Sequence, residues 1–501
     1  MKRLRHARPG ARSCLRQRGQ ALLYGLFVLL GGLIGLFFLF NTGQLVREKT
    51  KLVDTADAVA YSAGVIQARA LNHAAYSNRA LMAHEALIAQ LVSLQSWATY
   101  LRTWADRLPA IHPECRGMAE GARSGNVPAA FASAVSALRK FGPDYALACG
   151  ALSLPEVGGT AVPELERIAN STLPAAIAAT EASKAIITVS QGLMFSSTLV
   201  ARDTFLQRVA DDNYRDIGPV RVESGLVAGL SDDWLTATER YTGDQRGRLR
   251  EVVLAAAHAD PFVRERRWTS RAVLPEPSCL AVGRVVRSEV RRRGSTELLG
   301  FDEWQALDTQ SFQQRFRRRL SCRQREVVTA WASDETRRND QSPAGERFGG
   351  ARTDTPTAHA IAQANIRTGT AYRGLPDFHD LRASRRLSGA NASAEPLIRH
   401  GVRLTRAQAN LATSDEASQV RTRANGALLP FDTAPAGGVM AAVATAEVYF
   451  ARPPAAGVNR LGQSLGRARE LGSLFNPYWQ VRLVSTPLAV PWARQAGLNA
   501  P

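Results

Sequence analysis

Twenty consecutive residues, Ala21 to Phe40, carry no charge, and this run limits what the chain can fold into more than anything else in its 501 residues. A helix rises ~1.5 Å per residue, so such a run matches the ~30 Å of a bilayer's hydrocarbon core. A secretory signal has a shorter apolar region, ~7–15 residues, closed by small residues. Here the run ends in FFLFNTGQLVREK. It therefore reads as a retained transmembrane helix over residues 20–43. Lys2, Arg3, Arg5, Arg8, Arg12, Arg16 and Arg18 precede it without an acid. The positive-inside rule places this tail, residues 1–19, in the cytoplasm and exports everything beyond about Asn41. Within the span, Gly31 and Gly35 form a small-xxx-small pair, a candidate contact for a second membrane helix.

Net charge is +19, and with the seven tail cations set aside, 56 basic residues remain against 44 acidic. Nearly all are arginine, since lysine occurs only at 2, 49, 51, 140 and 184. An exported chain meets little nucleic acid, and no finger, RNA-recognition or helix-turn-helix signature is present, so nucleic acid is excluded as a partner. Anionic lipid, cell-wall polymer or an acidic protein fit the charge better. Cys14 lies in the tail, whereas Cys115, Cys149, Cys279 and Cys322 form an even set in an oxidising compartment. Of the three pairings open to them, the sequence-nearest pairs Cys115–Cys149 and Cys279–Cys322 are expected, each stabilising by roughly 3–4 kcal/mol through loop closure. No Cys-x-x-Cys spacing supports a metal instead.

Beyond the span, Leu52, Ala56, Val59, Ala63, Ile66 and Ala70 recur in 4-3 alternation, a heptad seam whose alanine layers would let a partner helix approach closely. The seam breaks at NHAAYSNR, Asn72 to Arg79, and resumes in a new frame from Leu87 to Leu108, before Pro109 and Pro113 end it. A second helical stretch runs from about Val162 to Asn213 with Pro174 as a kink. Its charge-free core, Ala185 to Ala201, is rich in Ser and Thr and reads as a packing partner for the first helix rather than a second span. The two form a helical hairpin stalk over 44–213, interrupted by an insertion at 109–161. From 214 to 501 strand-like segments such as REVVTAWAS, AEVYFARP and PYWQVRLVS alternate with turns, with a mobile loop expected near 332–358. The fold class is α+β: a single N-terminal transmembrane helix, a long helical hairpin, then a strand-rich mixed α/β exported domain.

Catalytic motifs lead nowhere. GQSLG would place Ser464 at a nucleophile elbow, but no histidine follows it in the chain. His379, in DFHD, reads as part of a surface turn, His73 and His84 as a polar interruption of a helical seam, and Glu303 with Asp308 as a solvated acidic turn. No phosphate-binding Gly-x-x-x-x-Gly-Lys or His-Glu-x-x-His occurs. The runs Arg291–Arg293 and Arg317–Arg319 flank the expected Cys279–Cys322 loop and together would form a basic patch for an anionic partner. No catalytic, cofactor-binding or metal residue is assigned, and no cofactor is expected.

The segments RGQALLYGLFVLL, Arg18 to Leu30, and REKTKLVDTADAVAYSAGVIQARAL, Arg47 to Leu71, resemble the start of the Flp (tight-adherence, Tad) pilus-assembly TadE/TadG-like family. Arg18, Gly19 and Ala21 match its Arg-Gly-x-Ala before the span, and Leu52, Ala56, Asp57, Ala58 and Ala60 match its following Leu and Ala-Asp-Ala run. The resemblance implies a non-enzymatic, single-pass bacterial inner-membrane protein with its bulk in the periplasm. Such a protein assembles, anchors or scaffolds a pilus or related secretion machine, with the membrane and other pilus-assembly proteins as partners and homo-oligomers conceivable. A minor pilin lodged in the filament and a membrane-tethered periplasmic hydrolase are the alternatives. Processed pilin-like members carry Glu five residues after the Gly, where this chain has Tyr24, and the Asp-x-Ser-x-Ser of a von Willebrand A metal site is missing.

Overall fold

The computed structural model describes residues 20–215, 217–225, 230–338, 348, 350–382, 396–407, 410–411, 439–451 and 472–485. The tail, Gly19 and Ser464 lie outside them. Helix α1 (Gln20–Ile111) runs unbroken for 92 residues, about 140 Å. It joins the expected span and stalk into one rod because no proline falls between Gln20 and Leu108; Pro109 enters only in its last turn. Three short helices follow, α2 (Pro113–Arg123), α3 (Val127–Phe141) and α4 (Pro143–Leu152), each with proline in its first turn. Cys115 and Cys149 are bonded there. Gly142, between α3 and α4, adopts φ +89°, and a Cβ on it would stand 2.2 Å from the Arg271 carbonyl, so only glycine lets the strand region approach. A π-helical stretch, Pro155–Ala161, leads into α5 (Val162–Asn213), which holds Pro174 without breaking.

Helix α5 returns along α1 in the opposite sense. Lys51 Nζ lies 4.7 Å from the Tyr214 ring, Gln191 Nε2 donates to the Ala74 carbonyl at 3.3 Å, and Lys184 meets Glu85. This last contact is fully buried: Lys184 also reaches Glu181 at 2.6 Å, while Trp304 Nε1 and Tyr372 OH each donate to Glu85 Oε2 at 2.9 Å. Burial raises the Glu181 carboxyl above its ordinary range although Lys184 opposes the shift.

Among the described residues, the rest of the chain forms three sheets. Strands β1 (Arg221–Ser224), β9 (Ile398–Ala407), β10 (Val439–Phe450) and β11 (Trp479–Val484) make an antiparallel sheet in the order β1-β9-β10-β11. Strands β2 (Thr238–Tyr241) and β8 (Phe378–Leu381) form a two-stranded antiparallel sheet among the described residues. The third sheet orders β3 (Trp268–Arg271), β4 (Glu289–Leu299), β5 (Glu303–Arg318), β6 (Ser321–Arg337) and β7 (Arg367–Gly369), antiparallel except for β6 and β7. Between them lie α6 (Trp234–Ala237), α7 (Gly247–Ala257), α8 (Pro261–Arg264), α9 (Pro277–Leu280), α10 (Ala351–Asp354) and α11 (Pro356–Ala364). Cys279 on α9 is bonded to Cys322 on β6. The sheets lie along α1, not beyond it: Ser96 donates to Asp308 at 2.8 Å and Asn72 exchanges two 3.0 Å bonds with the Trp479 backbone.

Three local expectations are corrected. Glu303 and Asp308 sit inside β5, not in a solvated turn. The strand is buried on both faces from Glu303 to Gln313, with α1 on one side and Phe348, Ala351 and Ala362 covering Leu307 on the other. Of the stretch 332–358, residues 332–337 close β6 and 351–354 and 356–358 are helical, because they form that covering layer; 339–347 and 349 lie outside the described residues. His379 belongs to β8, where its ring stacks on Phe195 at 4.5 Å.

Candidate partner-helix interface

The α1 seam is covered by the chain itself. Leu52, Ala56, Val59 and Ala63 pack into one buried cluster with Leu206, Ala210 and Tyr214 near the end of α5 and with Val402, Leu404, Ala442, Ala444 and Ala446 of β9 and β10. Ala70 is buried beside Phe450 and Trp479, and Ile66 is half-buried. The small layers serve close approach, as the periodicity implies, but what approaches is the chain's own α5 end together with a sheet. At Gly64 the contact is tight enough that a Cβ would meet Val481 Cγ1 at 2.5 Å.

The break in the seam has its own partner. Asn78 Nδ2 donates to the carbonyls of His379 and Leu474 at 2.8 and 2.6 Å, and Arg79 Nε donates to Phe475 O at 2.6 Å. The polar interruption thus holds the segment that leads into β11, satisfying backbone groups that would otherwise be buried alone. His73 Nε2 lies 3.2 Å from Ser190 Oγ, a further tie between α1 and α5.

A second 4-3 series stays open. On α5, Ala175, Ala179, Ala182, Ile186, Val189, Leu193, Ser196 and Val200 alternate four and three apart, and every one is exposed. Ile186 is 70%, Val189 61%, Leu193 62% and Val200 80% accessible, and no charge interrupts this face over about 38 Å of helix. The charged and amide side chains of the same stretch, Glu181, Lys184 and Gln191, are turned inward to α1 and the strands. Three alanines followed by Ile, Val and Leu on one uncovered stripe with 4-3 spacing give a second helix a face on which to pack knobs into holes. In the apolar N-terminal part of α1, Gly31 and Gly35 likewise meet nothing within 4 Å, and Leu22, Phe27, Leu29 and Leu36 face outward.

Other sequence candidates do not assemble chemistry. Glu303 lies near Glu335, and burial followed by the Glu335 charge pushes its carboxyl up to about 7. Asp308 is held by Arg266 at 2.9 Å and Arg292 at 3.1 Å, which keep its carboxyl below the ordinary range against the effect of burial. Burial depresses His379 to about 4, and its ring contacts are Gln191 Oε1 at 3.2 Å and the Phe195 ring. Among the described residues no three His, Cys, Asp or Glu side chains group to hold a metal ion. The two arginine runs are separated: Arg291 bonds Glu289 at 2.6 Å and Arg293 bonds Asp354 at 2.7 Å, whereas Arg317–Arg319 stand exposed at the end of the β5–β6 ribbon.

Residues 19–70 hold the apolar N-terminal part of α1 and its first seam. Residues 19–70 match the family model described as putative Flp pilus-assembly TadE/G-like. The TadE/G-like segment covers the apolar part of α1 and the turns buried against β9 and β10, which ties the N-terminal region to a family named for Flp pilus assembly. No curated protein and no solved structure matches the chain. The α5 stripe, 105 residues beyond the matched segment, was missed in the sequence because Ala175, Ala179, Ala182 and Ser196 carry little hydrophobic signal; only their exposure shows them as a surface.

Proposed function

We propose that the chain is a non-enzymatic, single-pass component of a bacterial inner membrane. In this reading its N-terminus is cytoplasmic and its bulk periplasmic, and it scaffolds or anchors a Flp/Tad-type pilus or related secretion machine by receiving a partner's helix on the outer stripe of α5. The TadE/G-like match supports the setting, and the observation that carries the role is the uncovered 4-3 series from Ala175 to Val200 beside a 4-3 series on α1 that is already filled. Residues 44–213 act as a helical hairpin stalk that holds the stripe at a fixed height above the membrane. The apolar core of α5 is part of that stalk and not a second span, since Gln191 binds His379 of β8 and Arg202 binds Asp232 at 2.8 Å, bonds that would have to enter the bilayer with it.

Replacing Ile186 and Leu193 together by Asp places two charges on the stripe without touching the α1 contact. The expected result is normal membrane insertion and abundance, with loss of pilus-assembly proteins from the material that co-purifies from native membranes and loss of pili. Unchanged co-purification and piliation would remove the stripe from the proposal.

A further inference from the structure

The tip of the β5–β6 ribbon concentrates exposed positive charge, whereas the inner part of the strand region pairs its arginines. Most buried or half-buried arginines of the strand region face an acid: Arg266 and Arg292 on Asp308, Arg293 on Asp354, Arg399 on Glu447. At the tip, Arg317, Arg318, Arg319, Arg323 and Arg325 are all exposed, and among the described residues none is paired with a carboxylate. Two acids of adjoining segments are engaged elsewhere: Glu276 accepts from Ser278 and Glu326 accepts from the backbone N–H groups of Thr357 and Ala358 at the start of α11.

The ribbon's register sorts these arginines. Arg318 lies opposite Ser321, Phe316 opposite Arg323 and Gln314 opposite Arg325, so Arg318, Arg323 and Arg325 share one face. Cys322 alternates with Arg323 and points to the other face, where its bond to Cys279 pins the ribbon on α9. The free face therefore presents three guanidinium groups in a row, spaced roughly 7 Å between Arg323 and Arg325. At the apex Leu320 is 86% exposed, and Arg319 holds φ +56° in a two-residue turn. That conformation favours glycine, and an arginine kept there is a strained choice in the sense seen at functional sites.

The tip also lies at the end of the rod remote from the span. Successive β5 residues climb α1, from Trp304 at Glu85 through Asp308 at Ser96 to Gln310 at Tyr100, and the ribbon continues past them. From Asn41 to Ile111 the helix covers on the order of 100 Å. Headgroups of the anchoring bilayer are therefore out of reach.

We propose that this tip is a docking surface for the acidic face of a protein that stands at the membrane-distal end of the rod. Guanidinium forks match carboxylates two bonds at a time, and Arg set around an exposed aliphatic group, Leu320, and a half-buried aromatic one, Phe316, is the mixture protein interfaces use. The proposal rests on the membrane topology of the proposed function and not on its pilus role.

The full chain in detergent, at about 0.15 M salt, is titrated with labelled poly-L-glutamate and, separately, with vesicles containing phosphatidylglycerol. The triple Arg318→Gln, Arg323→Gln, Arg325→Gln is compared with an equal-charge control, Arg69→Gln, Arg208→Gln, Arg264→Gln, which removes exposed arginines elsewhere. The tip triple is expected to weaken polyglutamate binding about tenfold and the control less than about twofold. Arg319→Gly, which relieves the turn instead of harming it, is expected to weaken binding with no fall in thermal midpoint. Equal losses in the two triples would reduce the effect to bulk charge, and tip-dependent binding to vesicles without binding to polyglutamate would assign the tip to lipid; either result overturns the proposal.

Discussion

Glu303 shows how a single carboxyl ties the fold to pH. It is 3% exposed on β5, and burial together with the charge of Glu335 pushes it from 4.5 up to about 7, while Arg337 offsets only part of this. Glu335 keeps its own partners, accepting from Thr368 Oγ1 at 2.6 Å and from Arg337 at 3.4 Å. A carboxyl with a raised folded-state pKa binds more protons folded than unfolded, so its contribution to stability falls as pH rises from about 4.5 to about 7 and stays low above that. Glu303→Gln keeps the shape and removes the charge. At pH 8 it is expected to stabilise the chain by on the order of 2 kcal/mol, and at pH 5 to change little. Urea unfolding midpoints at the two pH values check this, and equal shifts at both would show that the carboxyl is not forced to ionise in a buried place.

At the scale of elements, the two 4-3 series make opposite predictions. Ala56→Leu and Ala63→Leu place bulk where α1 meets Leu206, Val402, Ala442 and Ala446, so each is expected to destabilise the fold by roughly 1–3 kcal/mol, seen as a lower thermal midpoint and protease sensitivity in detergent. A change confined to partner binding, with stability intact, would mean the seam opens in the membrane. The helices were legible because their signals are local: α1 needs only a proline-free, alanine-rich run, and α5 a charge-free core with an interior Pro174 that the helix absorbs. The covering of the α1 seam was not legible, since periodicity shows that a face packs and says nothing of what packs on it. Strand β5 hid for another reason. Its odd positions Gln305, Thr309 and Gln313 are polar yet buried, bonded to Gln363, Thr355 and Asp354 of the α10–α11 layer, so the alternation that marks a half-buried strand is lost. For the same reason NHAAYSNR read as a mere interruption: the carbonyls its Asn78 and Arg79 bind lie some 300 to 400 residues away in sequence.

For the whole molecule, the cysteines and the span test one another. Cys115–Cys149 and Cys279–Cys322 are bonded in the fold, closing loops of 34 and 43 residues, each expected to contribute about 4 kcal/mol by loop-closure entropy. Such bonds persist only where the compartment is oxidising, which the proposed topology provides for residues beyond the span and denies to Cys14. Thiol alkylation of intact cells, quenched in acid and resolved by mass, is therefore expected to find one free cysteine, Cys14, and four that become reactive only after reduction. A periplasm-active reporter fused after Pro501 is expected to be active in the same cells, and a cytoplasm-active one silent. The two readouts are physically independent, one reporting redox potential along the chain and the other the side on which its end emerges. Five reactive thiols with a cytoplasm-active reporter would place the rod, the α5 stripe and the arginine tip inside the cell, and the proposed scaffold would then have no pilus to hold.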